Sequence, residues 1–297
     1  MISTPVILFT YNRLYHTKLT IEALLKNEEA SETDLIIFSD ASNNENNQKS
    51  VDEVRAYLKT IQGFNSVKII ERDTNFGLSK NIIQGITEMF LIYDQIIVLE
   101  DDLITSPFFL KYMNEALTFY KDCDEVISIS GYSYPFKDKT FDTFFIKGAD
   151  CWGWATWKRG WELFNQNGSF LLDEIKTKKL IKEFNFSNSY NYSKMLEDQV
   201  LGRTNSWAVR WYASAFLKNK LTLYPTNSLV FHNGSDDSGT NCTTQSIFDV
   251  KLSDQEIPVN KIPISESVKY RNKFIFYFRI TKKYRLIKDK IKSFLKK

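Results

Sequence analysis

No run of this 297-residue chain approaches the roughly 20 apolar residues that a membrane-spanning helix needs. Cysteine is scarce. Cys123, Cys151 and Cys242 are an odd number at unrelated spacings, which argues against a disulfide framework or a zinc site and for a reducing compartment. Neither phosphate-cradling loop is present, G-x-x-x-x-G-K or G-x-G-x-x-G, so ATPase and dinucleotide readings lose their usual support. The opening "MISTPVILFTYNR" has no basic n-region and no long apolar core; it reads as a first strand rather than a signal peptide. The Asn-x-Ser/Thr sequences at Asn167, Asn185, Asn191, Asn233 and Asn241 therefore carry no weight as glycosylation acceptors, and a cytoplasmic location is expected.

What is present suits a globular protein. The chain is 43% hydrophobic and 25% charged, and it is long enough for one large α/β domain or two smaller ones. The net charge of +3 conceals a division. From Lys269 onward twelve Lys and Arg stand against one acid, Asp289, a net of +11, which leaves −8 for everything before. The body is acidic and the tail basic, and each needs its own explanation.

The first half alternates. Apolar, β-branched runs at 5–9, 35–38, 67–70, 95–99 and 126–130 predict strands, and 14–26, 51–61, 78–92 and 106–120 predict helices. That order argues a parallel sheet covered on both faces. Ligands of such sheets bind beyond the carboxyl ends of the strands. Polar residues collect there: Thr10 to Arg13, Ser39-Asp40, Arg72 to Asn75, and Glu100 to Asp102. The second half is less regular. Helices are expected over 154–164, 171–184 and 192–202, with short strands at 220–224 and 228–231 before the loop "HNGSDDSGTN".

Glu100, Asp101 and Asp102 follow directly on a buried strand, where three like charges repel one another. A divalent cation would offset that cost, since hard cations take carboxylate oxygens and leave positions for substrate phosphates. The other reading is an acidic helix start.

Four segments together resemble the GT-A glycosyltransferases of the large inverting family 2. "PVILFTYNR" resembles that family's first strand and nucleotide loop. "FSDAS" resembles its second strand, and "RDTNFGLSKNIIQGI" its Asn-x-Gly segment. "VLEDDL" is similar to the Glu-Asp-Asp metal motif of N-acetylglucosaminyltransferase I-like enzymes. The resemblance is good over 3–131, looser over 145–240 and absent from the tail. It implies an α/β fold of GT-A type, a Rossmann-like mixed sheet with helices on both faces. It also implies a nucleotide-sugar donor, a UDP-sugar being expected, and Mn²⁺ or Mg²⁺ as cofactor.

Carried onto this chain, the resemblance implies that Asp40 contacts the nucleotide, alongside Thr10, Asn12 and Asn75. Arg13 and Lys80 would reach the phosphates. Asp102 would bind the metal, and Glu100 and Asp101 would bind ribose or the metal's waters. His232 would be the late metal-completing His of GT-A enzymes, since imidazole suits Mn²⁺. A turn-forming role for Asp40 is the alternative. An inverting transfer also needs a base for the acceptor hydroxyl. In "MLEDQVLGR" the pair Glu197-Asp198 resembles the family's base position, Asp198 before Glu197; a solvated helix face is the alternative. "DCWGWATWKRGW" offers Gly153 for a tight turn and Trp152 and Trp154 as flat faces for an acceptor sugar, although core packing is the commoner fate of Trp. The polar loop 233–244 could close over the donor.

In the tail, Tyr277, Ile280, Tyr284, Ile287, Ile291 and Phe294 recur at helical spacing among Lys and Arg. A basic amphipathic helix of this kind lies on an anionic membrane surface; docking on the acidic body is the alternative, and nucleic acid is not expected as a partner. The chain thus divides into a nucleotide-sugar half (1–131), an acceptor and catalytic half (132–250), and a linker with a membrane-associating tail (251–297). The function expected is metal-dependent inverting transfer of a hexose or N-acetylhexosamine to a glycan or lipid-linked acceptor, in bacterial surface polysaccharide synthesis at the inner membrane face. A sugar nucleotidyltransferase or a non-catalytic carbohydrate- or membrane-binding module is the alternative.

Overall fold

Val6–Thr10 forms strand β1 and is buried at every position. Burial on both faces explains why it reads as a continuous apolar run without alternation. β2 (Asp34–Ser39), β3 (Ser66–Glu71) and β4 (Gln95–Glu100) lie parallel to it in the order β3-β2-β1-β4. Helices α1 (Leu14–Leu24), α2 (Glu45–Leu58) and α3 (Leu78–Met89) make the crossovers between them. This computed structural model describes residues 3–136, 138, 140–234 and 248–295, by backbone alone from 285.

After β4 the short strand β5 (Leu103–Thr105) leaves the sheet, α4 (Phe109–Phe119) covers it, and β6 (Val126–Ser130) re-enters. Two strands then appear that the sequence pattern does not announce. β7 (Thr143–Lys147) forms the far edge. β8 (Trp154–Trp157) inserts antiparallel between β4 and β6, where a helix over 154–164 is expected. The helix is confined to the single turn α5 (Lys158–Trp161). All four β8 residues are buried, so no period separates strand from helix there. The sheet is therefore mixed, as the family resemblance implies and the alternation of the first half alone does not, and one eight-stranded sheet runs through both halves of the chain.

The stretch expected as a helix over 171–184 is two, α6 (Gly168–Thr177) and α7 (Ile181–Phe184), parted at Lys179 with φ +57°. α8 (Tyr192–Val200) follows. α9 (Trp207–Leu217) was not expected, because it is buried nearly all round and shows no polar face. β9 (Leu221–Pro225) completes the main sheet, and β10 (Val230–His232) pairs antiparallel with β5, bringing His232 opposite Leu103.

The last element, α10 (Val268–Leu295), docks on the body through its first half. Tyr270, Phe274, Phe278 and Thr281 are buried, while Ile280 and Tyr284 of the expected apolar face are exposed. The helix thus docks by a second face, Tyr270, Phe274, Phe278 and Thr281, and leaves the stripe that the tail spacing picks out exposed at Ile280 and Tyr284. Aromatic complementarity is the reason: Tyr270 stacks on Phe144 at 3.7 Å, and Phe274 and Phe278 meet Tyr134 edge-on. The side chains of Ile287, Ile291 and Phe294 lie outside the described residues, as does the loop 233–244 from 235 onward.

Candidate active site

The carboxyl ends of β1, β2 and β4 open on one cleft of about 880 Å³, a size typical of ligand sites. β1 delivers Thr10, Asn12 and Arg13 to it, β2 delivers Asp40, and β4 delivers Glu100, Asp101 and Asp102. The three acids are not left to repel one another. Arg13 donates from Nη2 to Asp101 and, at 2.8 Å, to Asp102. His232 Nε2 approaches the same Asp102 oxygen at 3.5 Å.

These partners divide the cluster. Burial, then the charges of Asp102 and Asp101, push Glu100 up to about 8. Burial acts the same way on Asp102, but the His232 hydrogen bond and the Arg13 charge outweigh it and bring it down to about 2. Burial raises Asp101 in spite of Arg13. Arg13 loses something to burial and regains more from the two aspartates, so its pKa is raised. The Thr10 hydroxyl is buried in the cleft wall with no hydrogen-bond partner among the described residues.

Asp40 is buried and heavily used. Its carboxylate accepts from the backbone N–H of Ala41 at 2.9 Å, Phe76 at 2.8 Å and Gly77 at 2.8 Å, and from Asn75 Nδ2 at 3.3 Å. Gly77 sits at φ +69°, which favours glycine. Asp40 thus folds the 75–77 turn over the sheet edge and holds Asn75 at the cleft.

From the second half, Trp152, Asp198 and His232 line the same cleft. Trp152 stacks on His232 with ring centroids 4.7 Å apart. Gly153 makes the turn below it at φ +62°, where a side chain would strike Val230. Asp198 is partly exposed and bonds Lys194 and Arg203, each at 3.0 Å. The Lys194 bond, then the Arg203 bond, lowers its pKa. Four expected residues lie elsewhere than on the cleft lining. Lys80 points outward over the Phe76 ring, and Glu197 pairs with Lys194. Trp154 packs in the core against Trp161, Trp207 and Trp211. Gly153 acts through its backbone.

Sequence reasoning missed Asp150. It lines the same cleft, with Tyr134, Tyr192 and Tyr224 near it. Its signal was modest: an acid beside the Cys-Trp-Gly-Trp segment. Among the described residues no group of three or more His, Cys, Asp or Glu side chains is arranged to hold a metal ion.

The family profile described as "Glycosyl transferase family 2" matches residues 6–175. None of the curated proteins matches the chain. Among solved structures, TarS of S. aureus is 14% identical over 78% of this chain and 37% of its own, with a TM-score of 0.40. TarS 1–349 in complex with UDP is 18% identical over 46% and 40%, TM-score 0.33. The mannosyltransferase PcManGT from Pyrobaculum calidifontis, in complex with GDP-Man and Mn²⁺, is 12% identical over 72% and 73%, TM-score 0.39. The chain spans less than half of each TarS chain it matches.

Proposed function

The chain belongs to glycosyl transferase family 2, and we propose that it moves a sugar from a nucleotide donor, a UDP-sugar, to a glycan or lipid-linked acceptor with inversion. One observation carries this reading: Glu100, Asp101 and Asp102 meet Asp40 and Thr10 in a single cleft at the carboxyl ends of parallel strands. The Glu-Asp-Asp order is read as the N-acetylglucosaminyltransferase I-like form of the family's metal motif. Residues 1–131 serve the nucleotide sugar, 132–250 the acceptor and catalysis, and 251–297 the membrane.

Carboxylates and an imidazole are donors that suit Mn²⁺ or Mg²⁺, although among the described residues they are not now arranged around one point, because Arg13 occupies the acids. Asp102 is ionised and already drawn to two positive or polar partners, and the site leaves no room for a side chain at Gly234 beside its carboxylate. Asp102 and His232 would hold the ion, with Glu100 and Asp101 behind. When bound, the ion would neutralise the departing nucleotide diphosphate. Arg13 is the cation that now occupies the acids, and because it lines the cleft a bound diphosphate would compete with them for it. The unpartnered Thr10 hydroxyl offers the nucleotide a hydrogen bond. Asn12 and Asn75 frame the base and ribose. Asp198 takes the acceptor proton: it is ionised at neutral pH, lines the cleft, and its two cationic partners are exposed and free to move.

The tail suits a protein that works at the inner membrane face on an acceptor for a surface polysaccharide. Among the described residues no helix is long and apolar enough to cross a membrane. Calorimetric titration with UDP, with and without Mn²⁺, tests the whole reading. Binding that requires Mn²⁺ and disappears in Asp102→Asn supports it. Silence with UDP, GDP, CDP and dTDP alike overturns it.

A further inference from the structure

One part of the cleft lining, an aromatic chamber, brings Tyr134, Tyr192, Tyr224, Trp152 and Phe274 together with one carboxylate, Asp150. Such an acid should be explained. Burial raises its pKa, and no Lys or Arg pairs with it among the described residues. What it has instead are neutral donors. Cys151 N–H reaches one oxygen at 2.7 Å, and the Tyr224 hydroxyl reaches the other at 3.2 Å. The Trp152 N–H is near enough to favour the charged form as well.

A carboxylate offers about four lone-pair sites. The bonds from Cys151 and Tyr224 leave capacity for a donor coming from the chamber. The hydroxyls of Tyr134 and Tyr192 lie close enough to feel the Asp150 charge, and they can donate or accept. Around these few polar groups stand flat ring faces. A sugar ring has the matching chemistry, with C–H faces for the aromatics and hydroxyls for the acid and the phenols.

The position matters as much as the chemistry. Trp152 links the chamber to the acids. Asp150 lies two residues before it in the chain, and the Trp152 ring stacks on His232, which meets Asp102. A ring held in the chamber therefore lies next to the place where a donor's diphosphate would be.

The geometry points to this chamber as the subsite for a neutral sugar ring of the acceptor, with Asp150 accepting from one ring hydroxyl. Asp150 is a specificity-determining residue on this assignment, and the tyrosines set its position. The assignment rests on the transferase reading for the word acceptor, but sugar binding itself does not.

The test uses methyl glycosides of the common hexoses and N-acetylhexosamines, observed by saturation-transfer NMR on the full chain without nucleotide. At least one should bind. Asp150→Asn, close in shape, should weaken that binding about tenfold or more, the loss expected for one hydrogen bond to a charged group. Tyr224→Phe should weaken it less and serves if Asp150→Asn does not fold. UDP titration with Mn²⁺ should be the same in all three proteins. Glycoside binding that survives both substitutions, or no glycoside binding by the wild type, overturns the assignment. So does binding of tetramethylammonium in place of the glycosides, which would make the chamber a cation cage. Wild type that binds a glycoside but no nucleotide would sink the transferase reading and leave the sugar subsite standing.

Discussion

Asp40 accepts from the backbone N–H groups of Phe76 and Gly77, both at 2.8 Å. Asp40→Ala takes this partner from the backbone N–H groups of Ala41, Phe76 and Gly77, at a cost of about 2 kcal/mol or more. Urea denaturation should read that loss, and UDP affinity should fall with it because the 75–77 turn loses the bonds that Phe76 and Gly77 make to Asp40. Asp198 calls for a different measurement. Its bonds to Lys194 and Arg203 lower its pKa, and a base must be deprotonated to act. Arg203→Gln removes one of those bonds, so the Asp198 pKa rises toward its ordinary value. The acidic limb of the kcat/KM profile should then move to higher pH; an unmoved limb would mean that another group is the base. The acids at the strand ends were legible because charge directly after an apolar run is visible in one dimension. Asp150 was not, since its surroundings come from Tyr134, Tyr192 and Tyr224, which only the fold brings together. Lys80 and Trp154 failed as cleft residues for the converse reason: spacing places a residue near an end or a turn without saying which way its side chain leaves.

At the scale of elements, what was legible were the runs whose burial repeats along the chain. β1 to β4 and α3 fall within a few residues of their expected bounds. β8 and α9 were hidden because both are buried almost everywhere, so neither shows a polar face to set the period. The same lack of contrast does not affect α10, whose pattern carried two apolar stripes, and packing chose between them. Phe278 is 1% exposed and Ile280 is 50% exposed. Phe278→Ala should therefore cost about 3 kcal/mol, and Ile280→Ala no more than about 0.5, by chemical denaturation. The Asp138 carboxylate fastens the start of α10, taking a hydrogen bond from the Tyr270 hydroxyl at 2.7 Å and a charged one from Lys273. Burial opposes its ionisation, but these bonds prevail and hold it down to about 2. A depressed folded pKa means stability that is present above the ordinary carboxylate range and lost as pH falls through the folded value. The contribution of Asp138 should accordingly fade between about pH 4 and pH 2, and Asp138→Asn should flatten that part of the stability curve.

Across the whole molecule, an acidic body carries a tail of net +11. Charge attraction contributes to docking the start of α10, through Lys273–Asp138 and Arg271–Glu266, beside the aromatic contacts, while Lys282, Lys283 and Tyr284 beyond them are exposed. The helix therefore has two parts with separate tasks. Its first part completes the core over Phe144 and Tyr134; its second part carries most of the positive charge. Truncation at 268 would strip the core and should yield unstable protein, so it says nothing about membranes. Truncation after Tyr284 keeps the docked face and removes Arg285, Lys288, Lys290, Lys292, Lys296 and Lys297 along with Asp289. Each basic side chain near an anionic surface contributes about 1 kcal/mol at most, weakened by salt. If the tail holds the protein to the membrane, the full chain should sediment with phosphatidylserine vesicles at low salt, release as salt rises, and ignore phosphatidylcholine vesicles. The 1–284 chain should stay in the supernatant with its UDP binding unchanged. Equal sedimentation of both chains would move the membrane contact to the exposed stripe of Phe276, Ile280 and Tyr284, and no sedimentation of either would remove the membrane from the proposed function.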